Sequence, residues 1–261
     1  LERMSVWEVT MSDFDLKIES AVASFLRNYH FEEKTIEKEF ARTFDEQVEQ
    51  KIEHTLLKSI ATTSEIEKLC HEARQYGFRS VCVNPSFVSL ADDLLTGTGV
   101  LVVTVVGFPL GATMTNCKEY ETYQAMQNGA NEVDMVIHQG RLRSKDYECV
   151  LHDIRKVVKA AGSNPVKVIL ETCNLTKEEI IAGCLLAIEA GAQYVKTSTG
   201  FGAMGAKAED IDLMRHVVGK QIGVKASGGI KDRASALRMA AYGADLIGTS
   251  SGVAILKECK G

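Results

Sequence analysis

The chain has 261 residues, 45% of them apolar and 25% charged, with 21 Gly against 3 Pro, a globular composition that excludes a disordered chain. Thirty Lys and Arg against 35 Asp and Glu leave a formal charge of −5, which offers a polyanion no electrostatic footprint and argues against nucleic acid as a partner. The apolar stretches are short and interrupted, so no membrane span is expected, and no signal-peptide pattern opens the chain.

Leu1-Glu2-Arg3, ahead of Met4, reads as an added stretch. Residues 1–50 carry 12 acids and 6 bases, whereas residues 51–261 carry 23 and 24. The first segment combines Phe14, Leu16, Ile18, Val22, Phe25 and Leu26 with the charge-rich run 31–40. It predicts an N-terminal extension (1–50) of one or two amphipathic helices that pack on the main domain without chemistry of their own.

From residue 51 onward, β-branched runs alternate with helical patterns. Eight candidate strands follow in order: 54–57, 80–84, 101–106, 132–137, 166–171, 193–198, 222–226 and 245–249. Most lack polar/apolar alternation, as strands covered on both faces of a parallel sheet do. Between them, Ser64-Glu65-Ile66-Glu67 and Thr176-Lys177-Glu178-Glu179 have the form of capping boxes. Ile66, Leu69, Cys70 and Ala73 then form one helical stripe, and Ile181, Cys184, Leu185 and Ile188 another. Gly77, Gly129, Gly191 and Gly243, spaced 52, 62 and 52 residues apart, each end a helix ahead of an even-numbered strand. Four double βα units predict a (β/α)8 barrel over 51–261. A doubly wound open sheet is the competitor, though it does not predict a fourfold repeat so directly.

The seven cysteines are odd in number and form no C-x-x-C pair, so buried free thiols in a reducing, cytoplasmic compartment are expected. The six histidines form no close ligand pair, so neither a metal site nor a cofactor is expected. Cys82 reads as core, having no evident base beside it.

Barrel active sites lie at the C-terminal strand ends, and there Asp134, Lys167, Lys196 and Lys225 interrupt apolar strands. Taken alone, Lys167 reads as a lysine snorkelling to the barrel mouth, and Asp134 equally as an ion-pair partner or a functional acid. Lys196 and Lys225 shift the balance, because two ammonium groups on nearby strands would repel one another across one small mouth. An unperturbed lysine is neutral in only about one molecule in 2,500 at pH 7. A second cation and partial desolvation lower its pKa and supply an imine-forming nucleophile, with Asp134 handling protons. Ser227-Gly228-Gly229 and Gly248-Thr249-Ser250-Ser251-Gly252 lead into helical segments where barrels often bind phosphate, and Lys231 either adds charge there or is an ordinary exposed residue.

These residues carry a resemblance to the deoxyribose-phosphate aldolase family. The similar segments are Ser80-Val81-Cys82-Val83-Asn84-Pro85, Val105-Val106-Gly107-Phe108-Pro109, Glu132-Val133-Asp134-Met135-Val136, Lys196-Thr197-Ser198-Thr199-Gly200, Lys225-Ala226-Ser227-Gly228-Gly229 and Gly248-Thr249-Ser250-Ser251-Gly252, in the family's order. The resemblance implies a class I aldolase that reversibly cleaves 2-deoxy-D-ribose 5-phosphate to acetaldehyde and D-glyceraldehyde 3-phosphate in deoxyribonucleoside breakdown. Lys196 is then the Schiff-base lysine, Lys225 the second lysine, Asp134 the proton relay and Lys167 a further substrate-site lysine. Gly200, Gly228, Gly229, Ser250 and Ser251 fall where the family holds phosphate. A homo-oligomer, dimer or tetramer, is expected. Glu53 stands where the family usually has Asp, which predicts a first loop displaced by one methylene. Lys231 replaces a common Arg and loses its bidentate fork. The rivals are another imine-forming or sugar-phosphate barrel enzyme, and a barrel without catalysis that binds a phosphorylated ligand or a protein partner through the acidic extension.

Overall fold

A computed structural model describes residues 12–261, so Leu1–Arg3 and the first part of the extension lie outside the described residues. Eight parallel strands form the barrel: β1 (Ile52–Leu56), β2 (Ser80–Val83), β3 (Leu101–Val106), β4 (Glu132–Val136), β5 (Val166–Ile169), β6 (Tyr194–Lys196), β7 (Gly223–Ser227) and β8 (Leu246–Thr249). They pair in chain order, and β8 pairs back onto β1 with Glu53 opposite Gly248. That last pairing removes the open edges and excludes the doubly wound alternative.

Among the described residues, two helices precede the barrel, α1 (Asp13–Asn28) and α2 (Lys38–Lys51). Those that follow, in order, are α3 (Thr63–Tyr76), α4 (Val88–Leu95), α5 (Thr115–Gln127), α6 (Gln139–Arg143), α7 (Tyr147–Ala161), α8 (Lys177–Glu189), α9 (Ala208–Val218), α10 (Arg233–Ala241) and α11 (Gly252–Lys260). Among the described residues, no helix is long and apolar enough to cross a membrane.

The stripe Ile66, Leu69, Cys70 and Ala73 is the buried face of α3. The capping box of that helix is Thr62 with Glu65, two residues ahead of the Ser64 pattern. In α8 the Thr176–Glu179 box is present, but Leu185 and Ile188 are only half-buried, whereas Ile180, Ala182, Leu186 and Ala187 are buried beside Ile181 and Cys184. Helix α1 packs over α8, so α8 has apolar neighbours on both sides and its single-stripe reading is too narrow. All four repeat glycines take positive φ, between 67° and 110°, the conformation that turns the chain from helix back to strand.

The extension is bound along the barrel flank, with α1 against α7 and α8, and α2 against α10 and α11. Its acids meet barrel bases: Glu19 with Lys145 at 2.6 Å, Glu33 with Arg238 at 2.9 Å, and Asp45 with Arg233 at 2.6 Å. Ile18, Val22, Phe44 and Val48 join the main core. Part of the acidic charge of the described extension is therefore matched by bases of the barrel.

Only part of the cysteine expectation holds. All seven are free, but only Cys70, Cys82 and Cys184 are buried, and Cys117 and Cys149 are exposed.

Candidate active site

Seven charged side chains meet inside the barrel: Glu53 on β1, Arg79 just ahead of β2, Glu132 and Asp134 on β4, Lys167 on β5, Lys196 on β6 and Lys225 on β7. Strand register sets Asp134 opposite Lys167, and Lys196 opposite Lys225. Asp134 is fully buried and stands at the centre. Its Oδ1 accepts from Lys167 Nζ at 2.9 Å, and its Oδ2 accepts from Lys196 Nζ at 2.7 Å and from Lys225 Nζ at 2.6 Å. Glu53 contacts Lys225, lies 3.4 Å from Lys167 and accepts from Ser80 Oγ at 3.2 Å. Glu132 bridges Lys167 and Arg79, each at 2.5 Å. Gly248 leaves room for this packing, since a Cβ there would come within 2.9 Å of Lys225 Cε.

Four cations face three carboxylates here, so full ionisation leaves one positive charge in excess in a dry interior. Releasing one proton relieves it. Burial pulls Lys167 down, but Asp134 and Glu132 outweigh it and hold that ammonium above the ordinary lysine range. Burial pushes Asp134 up, but Lys167 and Lys196 outweigh it and hold the carboxyl below its usual range. Burial lowers Lys225 well below the ordinary lysine value. Lys196 and Lys225 share one oxygen of Asp134, a geometry through which a proton can pass between them.

Of the three barrel lysines, only Lys196 lines the cavity at the C-terminal mouth, a space of about 330 Å³. Gly200, Gly228, Gly229 and Ser250 line it as well, and so do Lys58 and Lys231. Asp134, Lys167 and Lys225 lie beneath its floor, and Ser251 sits at the N-cap of α11 rather than on the wall. The cavity loops are stitched together: Ser227 Oγ donates to Ser198 O at 2.6 Å, and Thr249 Oγ1 to Ile230 O at 2.6 Å. Gly205 approaches so closely that a Cβ there would meet Gly228 O at 2.0 Å. Helix α11 has no side-chain cap, so among the described residues its first-turn N–H groups meet no capping side chain. The loop after β7 differs from the sequence reading, because α10 begins only at Arg233 and its first turn is capped by Asp232.

The sequence reading gave Arg79 and Glu132 no site role and noted Glu53 only as a departure at the first loop. The signal was available: each is a charge within or beside an apolar strand, as Lys167 is. The predicted first strand began at His54, whereas β1 begins at Ile52. Glu53 is thus an inward strand residue and not the start of a displaced loop. His54 points outward, with Nε2 2.8 Å from Glu72 and its ring beside Phe78.

Glu53, Cys82 and Asp134 come within 4.8 Å of one another, a spacing open to a cation in principle. The donor set fits one poorly, since the two carboxylates already face three lysines and burial pushes the Cys82 thiol up to about 12. A larger cleft, about 680 Å³, opens near Pro165, Tyr194 and Arg215. Arg215 is committed there to Asp245 and to the carbonyls of Gly219, Ile222 and Gly243. Lys196 faces the smaller cavity.

The family model for DeoC/LacD family aldolases matches residues 43–258. The deoxyribose-phosphate aldolase of Carboxydothermus hydrogenoformans is 56% identical over 214 residues, 80% of this chain and 94% of its own length. That of Thermotoga maritima is 52% identical over 243 residues, covering 93% of this chain and 96% of its own, so the likeness reaches into the extension. Among solved structures, a deoxyribose phosphate aldolase from Aeropyrum pernix, described as a unique tetramer, superposes with a TM-score of 0.78 at 32% identity, covering 86% of this chain and 99% of that one. A barrel with a lysine–aspartate cluster under its C-terminal mouth, and relatives this similar over nearly their whole length, give one conclusion: the chain belongs to the DeoC/LacD family of aldolases and is an enzyme of that lyase type.

Proposed function

We propose that the chain cleaves 2-deoxy-D-ribose 5-phosphate reversibly to acetaldehyde and D-glyceraldehyde 3-phosphate through an imine on Lys196. One observation carries this reading: of three lysines bonded to Asp134, only Lys196 reaches the cavity. Lys196 passes a proton to Asp134 and attacks the C1 aldehyde carbon of the open-chain sugar, and loss of water leaves the iminium. Removal of the C3 hydroxyl proton then breaks the C2–C3 bond. Its electron pair flows into the iminium, giving the enamine and free glyceraldehyde 3-phosphate. Protonation at C2 and hydrolysis release acetaldehyde and restore the amine. Asp134 relays these protons, and Lys225, held toward its neutral form by burial, receives them from the same oxygen.

The phosphate sits against Gly200, Gly228, Gly229 and Ser250, with α11 and Ser251 behind and Lys58 and Lys231 at the rim. Lys167 acts from beneath the floor by fixing Asp134, not by touching substrate. The named relatives support this substrate, and the tetrameric Aeropyrum structure supports a homo-oligomer. Seven free thiols suit a reducing compartment such as the cytoplasm, where deoxyribonucleoside breakdown supplies the sugar phosphate. Treating the protein with acetaldehyde, reducing with borohydride and mapping the adduct by mass spectrometry tests the reading. An adduct on Lys196 is expected. No adduct, or one elsewhere, overturns it.

A further inference from the structure

Glu171 stands out among the charged residues that the mechanism does not use. It follows β5 at the C-terminal mouth, with φ 59° and ψ 62°, the left-handed region that disfavours any residue with a Cβ. Its side chain is buried, with 3% of the residue exposed, and no Lys, Arg or His among the described residues lies within 4.0 Å of its carboxylate to form an ion pair. A desolvated carboxylate without a cation is costly unless donors surround it. The donors come chiefly from one residue across the mouth. Thr199 N–H reaches both carboxylate oxygens at 3.3 Å, and Thr199 Oγ1 donates to Oε2.

The consequence is directional. Because its hydroxyl proton goes to Glu171, Thr199 Oγ1 is left as an acceptor, and it takes the N–H of Phe201 at 3.0 Å. Glu171, Thr199 and Phe201 thus form one chain of bonds spanning Gly200. Thr199, Gly200 and Phe201 all line the cavity, and the Phe201 ring meets Phe108 edge-on at 5.4 Å.

We propose that Glu171 is a positioning residue that sets the Thr199–Gly200–Phe201 backbone against the phosphate-binding wall, so that its loss weakens the hold on phosphate and leaves imine formation on Lys196 intact. This rests on the assignment of that wall to phosphate in the reading above. It assigns Glu171 no contact with substrate.

The test uses the whole enzyme with Glu171→Gln and Glu171→Gly. Glycine accepts the left-handed backbone and removes the carboxylate, which separates loss of the bonds from loss of the fold. Inorganic phosphate binding by calorimetry, KM and kcat for 2-deoxyribose 5-phosphate and for unphosphorylated 2-deoxyribose, and borohydride trapping with acetaldehyde are compared. Glu171→Gly is expected to weaken phosphate binding and raise KM for the phosphorylated sugar about tenfold, a loss the size of a charged hydrogen bond. Its KM for 2-deoxyribose and its trapping on Lys196 stay within about twofold. Glu171→Gln, which keeps one acceptor oxygen, recovers part of the loss. Unchanged phosphate binding in Glu171→Gly, or equal losses on both sugars, overturns the proposal. Absence of an adduct in the unaltered enzyme counts against the imine instead, and phosphate calorimetry still decides the role of Glu171.

Discussion

Asp134→Asn tests the network at its centre. The substitution preserves shape but removes one negative charge and turns an NH2 toward a cluster of donors. At the 2.7 Å separation from Lys196, one charge pair at an effective dielectric constant of about 20 amounts to about 6 kcal/mol, and Lys167 stands almost as close at 2.9 Å. Four cations would then face two carboxylates. Release of further protons relieves most of that imbalance, which leaves the roughly 3–5 kcal/mol usual when one partner of a buried pair is removed. For a chain of this size the melting temperature falls by about 6–20 °C. Turnover falls further, by about 10²- to 10⁴-fold, because the proposed relay is gone. Lys196, freed of its counter-charge, still traps acetaldehyde on borohydride reduction. The assays are calorimetric melting, coupled cleavage kinetics and mass mapping of the adduct. A variant that melts within about 2 °C of the unaltered enzyme, or turns over within about tenfold of it, refutes the reasoning.

Lys225→Leu should slow turnover far more than it weakens phosphate binding, and an unchanged pH–rate profile contradicts its place in the proposed relay. The same variant tests linkage: burial depresses Lys225 in the fold, so the unfolded chain binds more protons. Stability then rises with pH, levelling near the unfolded value of about 10.4, and urea titrations across that window should show a shallower rise in the variant. Ser250→Asp places a carboxylate on the proposed phosphate wall and should raise KM for the phosphorylated sugar at least about tenfold while sparing unphosphorylated 2-deoxyribose, as steady-state kinetics will show. Lys118 serves as a contrast, being a fully buried lysine that donates to Asp153 at 2.6 Å and to Val136 O at 2.9 Å, away from the cavity. Lys118→Met should cost about 3–5 kcal/mol in denaturant unfolding, while kcat stays within about twofold of the unaltered value.

The eightfold order was legible because it is written in local features. Glycines at regular intervals end helices, β-branched runs mark strands covered on both faces, and a capping box such as Thr176–Glu179 is complete within four residues. Lys196, Lys225 and Asp134 were legible for a related reason, since a charge in an apolar run stands out without any knowledge of its neighbours. Glu53 was singled out only as a departure at the first loop and given no place in the cluster, because an acid beside a predicted strand's first residue reads as its boundary. Glu171 was not, because neither its left-handed backbone nor its pairing with Thr199, 28 residues away, leaves a trace in local pattern.

Sequence alone therefore determined the order of the elements and four of the charges carried into the barrel, Asp134, Lys167, Lys196 and Lys225, since both show in the pattern along one segment. Tertiary structure decided how those charges are shared. Closure of β8 onto β1 brings Glu53 to Lys225, β6 and β7 set two lysines on one oxygen of Asp134, and only Lys196 is left facing the cavity. The physical reason is burial: how strongly a lysine holds its proton depends on the water excluded and the carboxylates within about 4 Å, and strands far apart in the chain supply both.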